Sequence, residues 1–96
     1  MIVKAHFSYN RLVLAVCDKE LLNKRFVDGD LQLDLTSDFY KGEERTKEET
    51  IALMKKAYIV NGVGKQAVDC CIKAGIINKS KIKKIKNIPY AYMVRF

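Results

Sequence analysis

Ninety-six residues make one small domain with room for one modest core, roughly 60–65% of the unfolded surface being buried at this size. Apolar residues at 49%, one proline and five glycines exclude a disordered or low-complexity chain. The 18 Lys and Arg against 11 Asp and Glu leave a net charge of +7, and that charge is unevenly placed.

Residues 1–49 carry eight basic and ten acidic side chains, net −2. Residues 50–96 carry ten basic side chains and one acid, Asp69, net +9. A half so basic suggests an anionic partner, with nucleic acid the default. The plainer account is a solvated lysine surface, since 14 of the 18 cations are Lys and lysine enrichment also accompanies thermophily. Cys17, Cys70 and Cys71 are odd in number and have no CxxC spacing. They predict a reducing compartment rather than a disulfide framework. No signal-peptide pattern and no membrane-length apolar run is present, so a cytoplasmic protein without a membrane span is expected.

In chain order, Ile2–Phe7 reads as a short strand and Ser8–Asn10 as a turn. The unbroken apolar run Leu12–Cys17 reads as a buried central strand, hairpin-paired to the first. Asp18 is placed to cap a short helix over Lys19–Arg25, with Leu21, Leu22 and Phe26 as its stripe. Asp28-Gly29-Asp30 is a turn. Leu31–Leu35 alternates, which predicts a half-exposed strand with Leu31, Leu33 and Leu35 inward. A polar loop with Phe39 and Tyr40 follows. Thr46 and Glu49 have capping-box spacing and open a helix with Ile51, Met54 and Tyr58 on one face. That helix is expected to stop near Asn61-Gly62. A second helix begins around Gly64, buries Ala67, Val68, Cys71 and Ile72, and ends before Gly75. A bent strand is expected in the lysine block. Tyr90–Phe96 reads as a last strand or an extended tail. The fold class is α+β, a single domain over residues 1–96. Its expected form is an antiparallel-type sheet of about four strands with a packed helix pair in the second half.

Two segments carry the candidate chemistry. Gly62-Val63-Gly64-Lys65 joins the two expected helices and looks like the hairpin of helix-hairpin-helix modules. Backbone N–H groups of Val63–Lys65 would then form an anion seat, with Lys65 adding charge. A tight connection that needs glycine to turn is the plainer account. The loop is not a Walker motif. Because it is expected to follow a helix, and lacks the third glycine, it is not read as a dinucleotide fingerprint. The second segment sets Lys79, Lys81, Lys83, Lys84 and Lys86 within eight positions, followed by Tyr90 and Tyr92. Lysines interleaved with aromatics suit RNA, phosphates meeting the lysines and unstacked bases lying on the tyrosines. A lysine-protected sheet edge is the alternative.

Catalytic chemistry finds little footing. His6 has no local carboxylate motif, and the cysteines read as small buried hydrophobes, Cys70 partly exposed. One histidine and scattered cysteines give no metal-ligand spacing, and no cofactor is implied. The acidic stretch Asp28–Glu49, net −5, serves turns and helix starts, or repels nucleic acid from that face.

Several segments together are similar to a small archaeal family, domain-of-unknown-function 424. They are Leu14-Ala15-Val16-Cys17-Asp18, Glu20-Leu21-Leu22, Leu33-Asp34-Leu35 with Phe39-Tyr40, Asn61 to Val68, Ala74 to Ile77, and Ile88-Pro89. The family's pattern usually has a histidine after the proline, where this chain has Tyr90. Residues 93–96 resemble a C-terminal extension. The resemblance implies an archaeal, cytoplasmic, single-domain protein with no established activity and an expected link to RNA or translation. The leading expectation is a non-enzymatic RNA-binding protein, ribosome- or translation-associated, contacting phosphates through Gly62–Lys65 and the five lysines and bases through Tyr90 and Tyr92. The alternative is a protein-interaction module using the acidic region 28–49 with Phe39-Tyr40.

Overall fold

The computed structural model describes residues 1–95. Strands β1 (Ile2–Ser8) and β2 (Arg11–Cys17) form an antiparallel hairpin through Tyr9-Asn10. Along β2, Leu14, Ala15, Val16 and Cys17 are all fully buried. A central strand covered on both faces selects an unbroken apolar run, which is why this segment is readable.

The next segment departs from expectation. Only a single 3-10 turn, Lys19–Leu21, replaces the helix over 19–25. Asn23 adopts a left-handed φ of 68°, and its N–H donates to the Leu35 carbonyl. The chain therefore turns back into strand β3 (Arg25–Asp28), paired with β4 (Leu31–Asp34). The turn at Asp28-Gly29-Asp30 joins them as predicted. Leu35 is fully buried and Leu33 half-buried, whereas Leu31, beside the turn, is 52% exposed rather than inward.

After the two-residue strand β5 (Glu43–Glu44) comes helix α1 (Lys47–Lys56). Its capping box is complete: Glu49 N–H donates to Thr46 Oγ1 at 3.1 Å, and Thr46 N–H donates to the Glu49 carboxylate at 3.0 Å. The helix stops at Lys56 rather than near Asn61. Strand β6 (Ile59–Val63) follows and pairs in parallel with β2. The β-branched residues Ile59, Val60 and Val63 fill places between β2 and the last strand that no helix could fill. Helix α2 (Lys65–Lys73) buries Ala67, Val68, Cys70 and Cys71, so Cys70 is fully covered rather than partly exposed. Gly75, with φ of 72°, terminates it as expected. A further 3-10 turn, Lys79–Lys81, leads to β7 (Lys83–Ile85) and β8 (Ile88–Val94), joined by Lys86-Asn87.

The main sheet thus has six strands, ordered β5-β1-β2-β6-β8-β7, with one parallel pair at its centre. That is larger than the expected four strands and mixed rather than antiparallel. Helices α1 and α2 cover one face over Val3, Leu14, Val16, Val60 and Ala91. The β3–β4 hairpin covers part of the other face over Ile2, Cys17, Leu35 and Val63. Met93 and Val94 pair with Val60 and Ile59 and so are part of the sheet. Arg95 donates to the carbonyls of Ala57 and Lys55, tying the chain end to α1. Residue 96 lies outside the described residues.

Candidate nucleic-acid interface

The glycine loop is built differently from the helix-hairpin-helix expectation. Gly62 and Val63 are strand residues and Gly64 heads α2, so the segment is a strand-to-helix turn. Gly62 lets α2 approach, since a Cβ there would lie 3.2 Å from Cys71 Sγ. Gly64 has φ of 107° and ψ of 162°, a conformation nearly confined to glycine.

This context also revises the case against a dinucleotide fingerprint, which rested partly on a preceding helix. The decisive fact is Asp18. It is 3% exposed, and its carboxylate accepts N–H bonds from Gln66 at 3.1 Å and Ala67 at 2.9 Å. A negative charge at a helix N-terminus satisfies free amides and meets the positive end of the dipole. Gly64 N–H is also taken, donating to the Pro89 carbonyl at 2.8 Å. The start of α2, where the anion seat was expected, therefore already holds one of the protein's own carboxylates. Gly62, Val63 and Gly64 are buried and drop out as phosphate contacts; Lys65 alone of that group is exposed. Asp18 was legible only as the cap of the helix expected just after it, because nothing local marks a partner 48 residues away.

The lysine block is divided by the β7–β8 hairpin. Lys83 faces Tyr90 across the ladder, and Tyr92 lies two residues further along β8. Strand β7 is three residues long, so it leaves the outer edge of β8 unpaired by strand beyond Tyr90. There a groove of about 520 Å³ opens between β8 and the segment Gly75–Asn78. Lys81, Lys83, Tyr90 and Tyr92 line it, and no acidic side chain does. Tyr92 is 59% exposed, while Tyr90 is half-buried against the β3–β4 side. Lys79, Lys84 and Lys86 are exposed but line neither this groove nor the next. Lys65 borders a separate cleft of about 420 Å³ with Asp18, Glu20 and Asn87. The lysine groove and the glycine loop are thus two sites, and the second is acidic as well as basic. Among the described residues, none of these lysines is in an ion pair.

Other candidate residues are occupied structurally. His6 Nε2 donates to the Phe39 carbonyl at 3.0 Å, and its ring stacks on Phe39 at 4.7 Å. Phe39 meets Tyr40 edge-on, and burial pushes the Tyr40 phenol up to about 12. The aromatic pair of the acidic region thus packs onto the sheet. Several of that region's carboxylates are paired nearby: Glu44 with Lys19, Asp38 with Lys41 and Glu43 with Arg45. Burial pushes the Cys17 thiol up to about 11 and Cys71 up to about 12, and raises Cys70. Among the described residues no cluster of three His, Cys, Asp or Glu side chains could hold a metal, and no helix is long and apolar enough to cross a membrane.

The fold and surface define a small α+β protein with a mixed six-stranded sheet, a carboxylate-capped helix and a basic, tyrosine-lined sheet edge. The chain belongs to the family described as "Protein of unknown function (DUF424)", whose family model matches residues 6–96. A crystal structure of an uncharacterized conserved protein from Methanopyrus kandleri has a similar fold, with TM-score 0.83 and 20% identity. That match covers 99% of this chain and 92% of the other. No curated protein matches the chain.

Proposed function

We propose that this protein is a non-enzymatic RNA-binding domain that holds RNA backbone in the groove along the outer edge of β8. The observation that carries the reading is that Lys81, Lys83, Tyr90 and Tyr92 share one groove lined by no acid. Lysine ammonium groups supply point charge for phosphates without reading sequence. Tyr92, the more exposed ring, offers a face to a base. A structured, phosphate-dense RNA such as ribosomal RNA suits such a surface.

The test is RNA affinity measured against salt. Each phosphate contact releases counterions, so log K falls with log[salt]. Changing Lys81 and Lys83 to Ala should reduce the slope by about one per lysine lost. A flat plot for the unaltered protein overturns the proposal.

A further inference from the structure

The opposite end of the sheet from the Asp18 cap carries a second feature. Tyr9 and Asn10 join β1 to β2 with φ of 52° and 63°. Asparagine takes this left-handed conformation readily, whereas a tyrosine is strained in it. Tyr9 is 96% exposed, so no packing offsets that strain. Phe7, on the same hairpin, is 76% exposed. Beside them lies a cleft of about 500 Å³. Phe7, Leu53 and Tyr58 form its apolar side, Arg11, Lys56 and Arg95 its charged side, and among the described residues no acid lines it. The Arg11 guanidinium lies 4.1 Å from the centre of the Tyr58 ring. Hydrogen bonds from Arg95 to the carbonyls of Lys55 and Ala57 hold that side chain in place. Among the described residues, none of the three cations is in an ion pair.

We infer that this hairpin-end cleft is a second RNA site, one that takes unpaired nucleotides. Phe7 and Tyr9 stack bases, and Arg11, Lys56 and Arg95 hold the adjoining phosphates. The inference rests on the RNA-binding reading above and adds the form of RNA bound. Bases inside a duplex are stacked on one another and offer no free face, so exposed rings at a cationic cleft select unpaired ones. Three cations with no acid favour a polyanion over an ordinary apolar protein surface.

The experiment compares an unstructured oligouridylate with an RNA duplex of equal length. Phe7→Ala with Tyr9→Ala should weaken oligouridylate binding by about tenfold or more and leave duplex binding unchanged. Lys81→Ala with Lys83→Ala should lower the salt slope for both RNAs. Tyr9→Asn adds a reading that a structural role would not produce: it relieves backbone strain, so the variant should be more stable yet bind oligouridylate more weakly. If the Phe7 and Tyr9 changes leave binding intact while the lysine changes do not, the second site is overturned and the groove stands. The reverse outcome removes the groove and keeps the hairpin site. Binding of neither RNA by the unaltered protein removes both. An acidic peptide that binds as tightly as the oligonucleotide, and is lost with Phe7 and Tyr9, assigns the cleft to a protein partner and overturns the inference.

Discussion

A Cβ atom on residue 64 would lie 2.3 Å from Cγ of Asp18, so the carboxylate leaving β2 and the glycine heading α2 require each other. The two positions are remote in sequence and meet because β2 and β6 run parallel. Gly64→Ala adds steric overlap to a disallowed backbone conformation and should cost roughly 3 kcal/mol. Asp18→Ala removes the helix cap and strands the buried Ala67 N–H, costing roughly 2–3 kcal/mol. Asp18→Asn keeps one acceptor oxygen and should cost less. The double variant Asp18→Ala with Gly64→Ala should cost less than the sum, since the overlapping carboxylate is gone. Urea denaturation of the four proteins measures this. Strict additivity would contradict the contact.

The α1 capping box gives a pH dependence. Hydrogen bonds from Thr46 hold the Glu49 carboxyl below its usual value of 4.5. A carboxyl with a depressed folded pKa stabilises the fold fully above its unfolded value, and that stabilisation is lost as pH falls through the folded value. The N–H and hydroxyl of Thr36 do the same for Asp34. Stability should therefore decline as pH drops below the ordinary carboxylate range. Glu49→Gln should lose less on acidification than the unaltered protein, and parallel curves would remove Glu49 from the account.

The cysteines should be inert. All three are free and buried, and burial is the largest cause of each raised thiol pKa. Because the thiolate is the nucleophile, little of it exists at neutral pH. A chromogenic disulfide reagent should therefore label no thiol quickly in the folded protein and three thiols once urea unfolds it. One thiol reacting within the mixing time would reopen the case for a nucleophilic enzyme.

The same physical distinction explains which parts of the molecule were legible in the sequence. Local signals held: the apolar run of β2, the Thr46–Glu49 box, the Asp28–Asp30 turn and the glycine ending α2 each report their own neighbourhood. Non-local choices did not. Residues 19–25 have a helical stripe, but backbone bonds between residues 23–24 and Leu35 turn the chain back so that it enters β3 at Arg25. Residues 59–63 are too short to announce a strand and gain their place only between β2 and β8. In the candidate groove, residue types were readable, but their grouping was not. The β7–β8 hairpin gathers Lys81, Lys83, Tyr90 and Tyr92, while Asp18 removes the glycine loop from consideration. The hairpin-end cleft was missed because Phe7 reads as an ordinary strand residue until its exposure is known.

The β7–β8 turn separates stability from binding within the lysine block. Lys86 and Asn87 have φ of 51° and 64°, the two left-handed positions of a type I′ hairpin turn. Asn-Gly satisfies that geometry better, because a lysine gains no local hydrogen bond there and suffers the full crowding of its Cβ. Lys86→Asn with Asn87→Gly should therefore raise stability by about 1 kcal/mol. Lys86 lies outside the lysine groove, so the same change should leave most RNA affinity in place, unlike Lys83→Ala. Thermal melts and salt-dependent titrations of the two variants decide the matter. If Lys86→Asn lowers the salt slope as much as Lys83→Ala does, the phosphate path runs over the turn, and the groove is not where RNA is held.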